Sequence, residues 1–506
     1  MQTPSGIALA SGGGALIVPT CPGPDYFPVS ALLPPLPPSQ LGDPTFRTAH
    51  GLRFAYMTGA MANGIGSVEI VTAMSRAGML GSFGAAGLSV ERVTAAIDRL
   101  QSELGEAPFC VNLIHSPNET SHESAIAELF IRKRVRLVEA SAYLDLTPAI
   151  VRYRVAGLRT GPDGAVVAEN RIIAKVSRVE VATRFLSPPP VKIVGELLVR
   201  GHITAEQAEL STRVPMCDDL TAEADSGGHT DNRPAITLLP TMLALRDRLH
   251  VQFAYPNRVR VGLAGGIATP AGVAAAFALG ASYVVTGSVN QACVESGSSN
   301  LVRKMLAEAG QADVTMAPAA DMFELGVKVQ VLKRGTMFAM RAQKLFELYR
   351  AYASWEAIPV HERVQIEKNL LKASFQDVWQ LTRDFFAKRD PMQISRAEAD
   401  PKHQMSLVFR WYLGLSSRWA NAGEPSRQLD YQVWCGPAMG AFNEWTKGSE
   451  LERLENRTVT AIARNLLYGA AIHLRVQQAR QTGAELPATF VSSGPWPASV
   501  LNEWFL

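Results

Sequence analysis

The stretch VGLAGGIATPAGVAAAFALGASYVVTGSVNQACV, residues 261–294, contains no charged side chain. One apolar run in it ends at Gly265 and Gly266, and a second apolar run ends at Gly287 and Ser288. Between the two runs lie small residues with the spacing of a helix. The order of strand, glycine turn, helix, strand and glycine turn predicts a βαβ unit. Such a unit places both turns at the same end of two parallel strands.

These two turns present closely approachable backbone N–H groups beside the start of a helix, which is what a phosphate group needs. In a (β/α)8 barrel, the turns after strands 7 and 8 are the usual phosphate site. We therefore expect Gly265, Gly266, Gly287 and Ser288 to bind a phosphate. A βαβ unit without a ligand is the alternative. A transmembrane helix is disfavoured because glycines and Pro270 interrupt the stretch.

Composition excludes several classes of protein. The chain has 506 residues, 47% hydrophobic and 19% charged, enough for about two to four domains with a sizeable core. A net charge of +3 is too small for a dedicated nucleic-acid binder. The five cysteines form no CxxC pair, so no disulfide framework or metal site is expected, and the cytoplasm is the expected location. Because the first basic residue is Arg47, we expect no secretory signal and no membrane association.

The organisation of the chain predicts an α/β fold with three parts. Residues 1–43 are rich in proline and glycine and indicate an extended N-terminal arm. Strand and helix patterns then alternate about eight times across residues 44–309, which predicts a (β/α)8 TIM barrel. Residues 310–506 carry long amphipathic patterns and predict a C-terminal helical region packed on the barrel.

A candidate catalytic residue lies in EADSGGHTDN, residues 223–232. Gly227 and Gly228 would let the backbone approach a flat ligand, and His229 would then project from a tight turn at the end of the sixth strand. That end of a barrel is its catalytic face. A structural histidine is the alternative. The acidic neighbours of His229 would orient it or cap the next helix.

Two further candidates lie on barrel strands. Asn112 ends the third strand, and Lys175 interrupts the apolar fifth strand RIIAKV. A lysine at that position either extends outward to water or meets a negative charge at the barrel mouth.

Five short motifs together resemble the nitronate monooxygenase-like flavin barrels. They are AMANG at 60–64, VN at 111–112, SGGH at 226–229, AGGI at 264–267 and TGS at 286–288. Four longer stretches resemble the trans-acting enoyl reductases of polyunsaturated fatty acid synthases and trans-acyltransferase polyketide synthases. They are residues 136–158, 223–234, 330–349 and 433–445. The resemblance covers nearly the whole chain from residue 54 to residue 481.

The resemblance implies an FMN cofactor at the top of the barrel. Ala60, Met61 and Ala62 would lie along the flavin ring and ribityl chain, and Asn112 would hydrogen-bond the pyrimidine end. Lys175 would lie near flavin N1 and O2, where simpler nitronate enzymes often carry glutamine.

On the substrate side of the ring, the resemblance places Gly228 and His229, with Gly227 beside them. Gly265, Gly266, Gly287 and Ser288 would hold the FMN phosphate through backbone N–H groups.

The activity implied is reduction of an enoyl thioester on an acyl carrier protein, with NADPH or NADH as the reductant. His229 would stabilise or protonate the enolate, and the helical region would shape a lid and an acyl tunnel. The partner would be a polyketide or fatty acid synthase, and a homodimer is one option. Three basic segments are candidates for carrier-protein contact, although a solvated surface is the simpler explanation for any one of them: 132–134, 333–334 and Arg341.

Two other functions stay open. A nitronate monooxygenase-like flavin oxidase would share the barrel residues, but the long C-terminal extension argues against it. A non-catalytic scaffold subunit of a synthase complex would keep the barrel without its chemistry.

Overall fold

The computed structural model describes residues 6–10, 15–18, 26–29, 33, 35–117, 119–483, 486 and 494–505. Within the segment predicted as an arm, three short strands pair with one another in an antiparallel sheet. Their order in the sheet is Ala15–Val18, Gly6–Ala10 and Tyr26–Val29. The boundaries at residues 43 and 309 stay predictions.

Eight parallel strands form a closed barrel, which confirms the predicted TIM-barrel fold. They are β1 (Tyr56–Thr58), β2 (Leu80–Phe83), β3 (Cys110–Ile114), β4 (Leu137–Ser141), β5 (Arg171–Val176), β6 (Asp219–Glu223), β7 (Arg260–Ala264) and β8 (Val284–Thr286). Neighbours along the chain pair in order, and β8 closes the barrel by pairing with β1 through Val284 and Tyr56. The charge-free stretch quoted above supplies β8 and most of β7.

Helices follow the barrel strands and cover the outside of the barrel. Those between β1 and the end of the barrel are Val68–Arg76, Val90–Leu104, Thr120–Arg132, Pro148–Val155, Val179–Leu186, Val191–Val199, Ala205–Ser211, Ala235–Phe253, Pro270–Ala278, Ser288–Gln291 and Asn300–Ala307. Their starts follow local chemistry: the Ser67 and Ser89 hydroxyls accept hydrogen bonds from the backbone N–H groups three residues later. A small hairpin, Leu158–Thr160 with Val166–Ala168, lies between β4 and β5.

The C-terminal region is largely helical, as predicted, but it begins with two strands that the sequence analysis did not identify. Val314–Pro318 and Lys328–Leu332 pair antiparallel, and the second strand also pairs with Gly228–His229. The reason is the short segment KVQVL, in which the β-branched residues Val329 and Val331 alternate with polar ones and are buried. This three-stranded sheet connects the C-terminal region to the candidate catalytic loop.

Helices make up the rest of the C-terminal region, and short 3₁₀ and π segments connect them. They are Phe338–Ala351, Val360–Ile366, Glu367–Leu371, Phe375–Arg389, Pro391–Ala399, Pro401–Ala422, Pro425–Asp430, Ala438–Thr446, Glu450–Glu452, Leu454–Asn456, Val459–Gln481 and Ala498–Phe505. Residues 317–413 contribute a hydrophobic core of their own, which includes Phe338, Trp355 and Phe409 and is separate from the barrel core. Among the described residues, none of the helices combines the length and apolar character needed to cross a bilayer.

A short N-terminal helix, Pro44–His50, closes the bottom of the barrel. Its Phe46 ring stacks on Tyr283 with centroids 4.1 Å apart. His50 Nε2 lies 2.7 Å from Asp219 Oδ2, and Arg260 Nε donates to Asp219 Oδ1 at 2.5 Å. Asp219 begins β6 and is fully buried, so this cluster fixes the ends of two strands against the helix.

We expect Asp219→Asn to lower the free energy of unfolding by about 3–5 kcal/mol, because it leaves the Arg260 guanidinium without its buried partner. Burial would raise the pKa of Asp219, but His50 and Arg260 lower it to about 2. This pKa lies below that of an unfolded aspartate, so the stabilisation is present above about pH 4 and is lost toward pH 2. Urea unfolding at neutral and acidic pH measures both effects. The difference in the free energy of unfolding between Asp219→Asn and the native protein should become smaller in acid.

The control for this prediction is Asp98→Asn, which breaks an exposed pair with Lys133. We expect it to change the free energy of unfolding by less than about 1 kcal/mol. Equal losses in the two variants would contradict the role assigned to Asp219.

Candidate active site

A cavity of about 730 Å³ lies where the carboxyl ends of the barrel strands meet the C-terminal region. Its size is that of small-molecule sites in general. Helices Phe375–Arg389 and Pro401–Ala422 contribute its outer wall. The structure brings every residue predicted for the site to this one cavity: Ala60, Met61, Ala62, Asn112, Lys175, Gly227, Gly228, His229, Gly265, Gly266, Gly287 and Ser288. Their individual roles stay predictions.

The two glycine turns leave open space in the cavity wall. Gly265 and Gly266 have φ values of +84° and +75°, which glycine adopts without strain. A Cβ on Gly265 would lie 2.6 Å from the Ala224 backbone, whereas a Cβ on Gly266 or Gly287 would meet nothing within 4 Å. The space beside Gly266 and Gly287 is thus open toward a ligand. The Ser288 hydroxyl accepts from the Gly436 N–H at 3.0 Å, so the C-terminal region contacts this turn directly.

The loop after β1 is held from two sides. The Ala60 N–H donates to Glu139 Oε2 at 2.7 Å. On the other side, Asn63 Nδ2 donates to the Ser417 hydroxyl of the helical region at 3.0 Å. Gly84 allows this loop to fold inward, because a Cβ there would lie 1.7 Å from the Met61 carbonyl oxygen. The loop therefore has a fixed backbone in the cavity wall.

Lys175 meets negative charge at the barrel mouth, which decides between the two alternatives that the sequence left open. Its Nζ lies 3.3 Å from Glu223 Oε1 and 3.9 Å from Glu139 Oε1. Burial opposes the ammonium charge, but the two carboxylates outweigh it and raise the pKa of Lys175. The cavity floor therefore carries a permanent cation between two carboxylates. Glu223 binds this lysine rather than orienting His229 or capping a helix.

Asn112 is buried, and its amide orientation is fixed by its partners. Its Nδ2 donates to the Glu139 carbonyl oxygen at 3.0 Å and to the Ser141 hydroxyl at 2.8 Å. Because a carbonyl oxygen only accepts hydrogen bonds, the nitrogen must face Glu139. The Asn112 oxygen is then the polar atom available to a ligand in the cavity.

His229 has a carboxylate partner from the C-terminal region. Its Nε2 lies 3.2 Å from Asp321 Oδ1. Burial lowers the pKa of His229, but the neighbouring Asp321 carboxylate outweighs burial and raises it above the ordinary value. Since Nε2 contacts Asp321, Nδ1 is the nitrogen available to a substrate.

Gly227, the residue before Gly228 and His229, also lies against the C-terminal region. A Cβ on Gly227 would lie 2.9 Å from the Cys435 backbone nitrogen, so the lack of a side chain lets the two backbones approach each other. Its expected contact with a flat ligand stays a prediction. Gly228 has a φ of +82° and lies beside the Trp434 ring.

Sequence reasoning missed two acidic partners. Glu139 is a single carboxylate in the buried strand RLVEAS, the same kind of signal that singled out Lys175. Asp321 gives no local signal, because it lies 92 residues from His229 and reaches it only through the antiparallel sheet.

Another histidine at the mouth also escaped notice. The His115 Nδ1 lies 3.2 Å from Glu123 Oε2, and the His115 ring lines the cavity. Glu123 is buried and also accepts hydrogen bonds from the Ser116 N–H and the Tyr143 hydroxyl. This carboxylate therefore fixes the orientation of His115.

The basic segments singled out in the sequence are partly committed to internal contacts. Arg341 pairs with the buried Asp430 carboxylate, which removes it from the candidates for carrier-protein contact. Lys133 Nζ donates to Asp98 at 2.6 Å, and Arg334 lies 3.8 Å from Asp313.

Comparison with known proteins assigns the chain to a family. A family model described as nitronate monooxygenase matches residues 50–345, and one described as the inserted helical domain of [acyl-carrier-protein] S-malonyltransferase matches residues 352–431. The chain therefore belongs to the nitronate monooxygenase family of oxidoreductase barrels.

Within that family, the chain shares its fold with the enoyl reductase domain of MlnA from the macrolactin biosynthesis cluster of Bacillus amyloliquefaciens. The match has 38% identity and a TM-score of 0.83, and it covers 87% of this chain and 99% of that one. The similarity extends through the helical region as well as the barrel.

Longer curated proteins contain similar segments. A component of the polyunsaturated fatty acid synthase of Thraustochytrium sp. is 51% identical over 427 residues, 84% of this chain. The polyketide biosynthesis protein PksE of Bacillus subtilis is 44% identical over 448 residues, 88% of this chain. This chain spans 28% of the first protein and 58% of the second.

We expect Asp321→Asn to lower the pKa of His229, because the carboxylate that stabilises the imidazolium is removed. NMR titration of the histidine ring measures the shift. The control is Asp231→Asn, since Asp231 pairs with Arg178 instead. An unchanged His229 titration in Asp321→Asn would contradict the electrostatic link.

Proposed function

We propose that this protein is an FMN-dependent enoyl reductase that acts in trans. Its substrate is an enoyl thioester carried by an acyl carrier protein of a polyketide or polyunsaturated fatty acid synthase, and its reductant is NADPH or NADH. The supporting observation is that the cation, the oriented amide, the histidine and the open glycine turns all face one cavity. The helical region that covers this cavity is also present in the MlnA enoyl reductase domain.

The cavity residues fit FMN. The open space at Gly266 and Gly287 suits a phosphate, which would bind backbone N–H groups there. The Asn112 oxygen suits the N–H of a pyrimidine ring. Lys175 suits the end of a flavin that gains negative charge on reduction.

FMN, once reduced by the nicotinamide nucleotide, would supply a hydride to the β-carbon of the enoyl thioester. As the β-carbon gains that hydride, negative charge develops on the thioester oxygen, and the α-carbon must receive a proton. Asp321 favours the protonated form of His229, and the positive charge of that form would stabilise this oxygen. The Nδ1–H of His229 donates to the oxygen or delivers the proton, and water then restores it.

The neighbouring groups hold this histidine in place. Gly228 and His229 pair with the strand Lys328–Leu332, so the imidazole is carried by a sheet rather than by a free loop. The Gln330 side chain donates to Asp225 at 2.8 Å and to the Ser226 carbonyl at 2.7 Å, which fixes the turn just before it. The loop therefore needs little reorganisation to present His229 to a substrate.

A flavin oxidase acting on nitronates is the second candidate, because the family model over residues 50–345 carries that description. Oxygen uptake with an alkyl nitronate in the absence of nicotinamide would favour it over the enoyl reductase.

One prediction of the proposed function concerns the flavin. We expect the purified protein to bind FMN and to show its visible spectrum. Gly287→Ala should bind FMN about tenfold to a hundredfold more weakly, because the new methyl group occupies the open space of the phosphate turn. The control is Gly195→Ala, where a Cβ also meets nothing within 4 Å but lies outside the cavity. Native protein that stays colourless when FMN is offered would overturn the proposal.

Another prediction of the proposed function concerns the reaction. We expect crotonyl thioesters to be reduced with consumption of NADPH or NADH, and His229→Gln to lower kcat by about 10²–10⁴-fold. The exposed His361→Gln serves as the control and should keep native activity. Absence of reduction by FMN-loaded native protein with either nucleotide would refute the enoyl reductase assignment.

A further inference from the structure

Two arginines lie at one edge of the cavity, away from the residues that the proposed reaction uses. Arg389 ends the helix Phe375–Arg389, and Arg418 lies in the last turns of the helix Pro401–Ala422. Both line the cavity, and Arg418 is exposed at its open edge. Any ligand that enters the cavity from this side passes their guanidinium groups.

Arg389 is only partly satisfied by the protein. Its Nη2 donates to Glu119 Oε2 at 2.5 Å, and its guanidinium lies 5.4 Å from the Phe385 ring centroid. Its Nε is buried and has no hydrogen-bond partner among the described residues. The protein therefore leaves this guanidinium only partly hydrogen-bonded.

Arg418 has neither an ion-pair nor a hydrogen-bond partner for its side chain in the part of the chain that the structure describes. Although Arg418 reaches solvent at the open edge, its partial desolvation beside the cavity and the positive charges of Arg389 and Arg92 lower its pKa, and Glu119 opposes this only in part. The preceding residue, Ser417, is bonded to Asn63, so the backbone at Arg418 is anchored over the β1 loop. This edge thus carries more positive than negative charge, in a fixed position.

We propose that Arg418 and Arg389 bind a phosphate group of an incoming ligand at the edge of the cavity. Guanidinium groups bind phosphate oxygens through paired, charge-assisted hydrogen bonds, and two arginines from different helices can surround one phosphate. The inference rests on the proposed function, in which two phosphate groups, besides the FMN phosphate assigned to the glycine turns, are candidates for this edge. One is the 2′-phosphate of NADPH, and the other is the phosphate of the phosphopantetheine arm of a carrier protein.

Calorimetric titration of the 506-residue chain with FMN added tests the proposal. The probes are 4′-phosphopantetheine against pantetheine and adenosine 2′-monophosphate against adenosine. We expect at least one phosphorylated probe to bind more tightly than its unphosphorylated partner. Arg418→Gln should remove that preference, about a tenfold to hundredfold loss, while Arg418→Lys keeps part of it. The probe that loses affinity identifies the source of the phosphate.

Arg410→Gln is the matched control, because Arg410 also lines the cavity but already donates to the Ala320 carbonyl and Glu324. We expect it to leave the phosphate preference unchanged. Arg389→Gln should also weaken the preference, and if its loss of the Glu119 contact impairs folding, Arg418→Gln alone decides the outcome.

Two results would overturn the proposal: equal affinity of native protein for the phosphorylated and unphosphorylated probes, or an undiminished preference in Arg418→Gln. These measurements need no turnover, so they stand even where enoyl reduction fails. If native protein reduced no enoyl thioester but still preferred the phosphorylated probes, the proposed function would be refuted and the phosphate site would stand.

Discussion

A buried ionic cluster at the barrel mouth organises the residues around it. The Lys175 ammonium lies between the Glu139 and Glu223 carboxylates, and each carboxylate also holds backbone or hydroxyl groups of a neighbouring loop. Glu139 accepts from the Ala60 N–H, and its own carbonyl accepts from Asn112. Through these bonds one lysine connects the carboxyl ends of β1, β3, β4, β5 and β6. A charge buried in a strand is costly unless it is paired, so the same pairing that stabilises Lys175 also sets the positions of the loops.

The C-terminal region completes the site that the barrel begins. It supplies Asp321 to His229, Gln330 to the turn at Ser226, and the Gly436 N–H to Ser288. Each of these contacts joins a barrel loop to a segment more than 90 residues away in sequence. The region can hold these groups steadily because residues 317–413 have their own hydrophobic core. The helical part is therefore a structural component of the cavity as well as a cover over it.

Local patterns explain how much of this could be predicted from the sequence. The barrel strands follow from alternating strand and helix patterns, and Lys175 is conspicuous as a charge in an apolar strand. The glycine turns after β7 and β8 are detectable because a break in an apolar run is itself local. Asp321 and the sheet that carries it could not be found this way, since a two-residue strand at Gly228–His229 has no periodicity to detect. The packing of Gly227 against Cys435 could not be predicted for a related reason: the two residues are far apart in the sequence.

That close approach restricts how this architecture can be recombined. The Gly227 and Cys435 backbones come so near that neither segment tolerates an added carbon atom between them. A chimera that joins this barrel to the helical part of a relative must therefore transfer both sides of the contact together. Linkers or fusion partners should be inserted at sites away from the contact between Gly227 and Cys435. Exchange of these parts between related proteins would accordingly have to move both of them together.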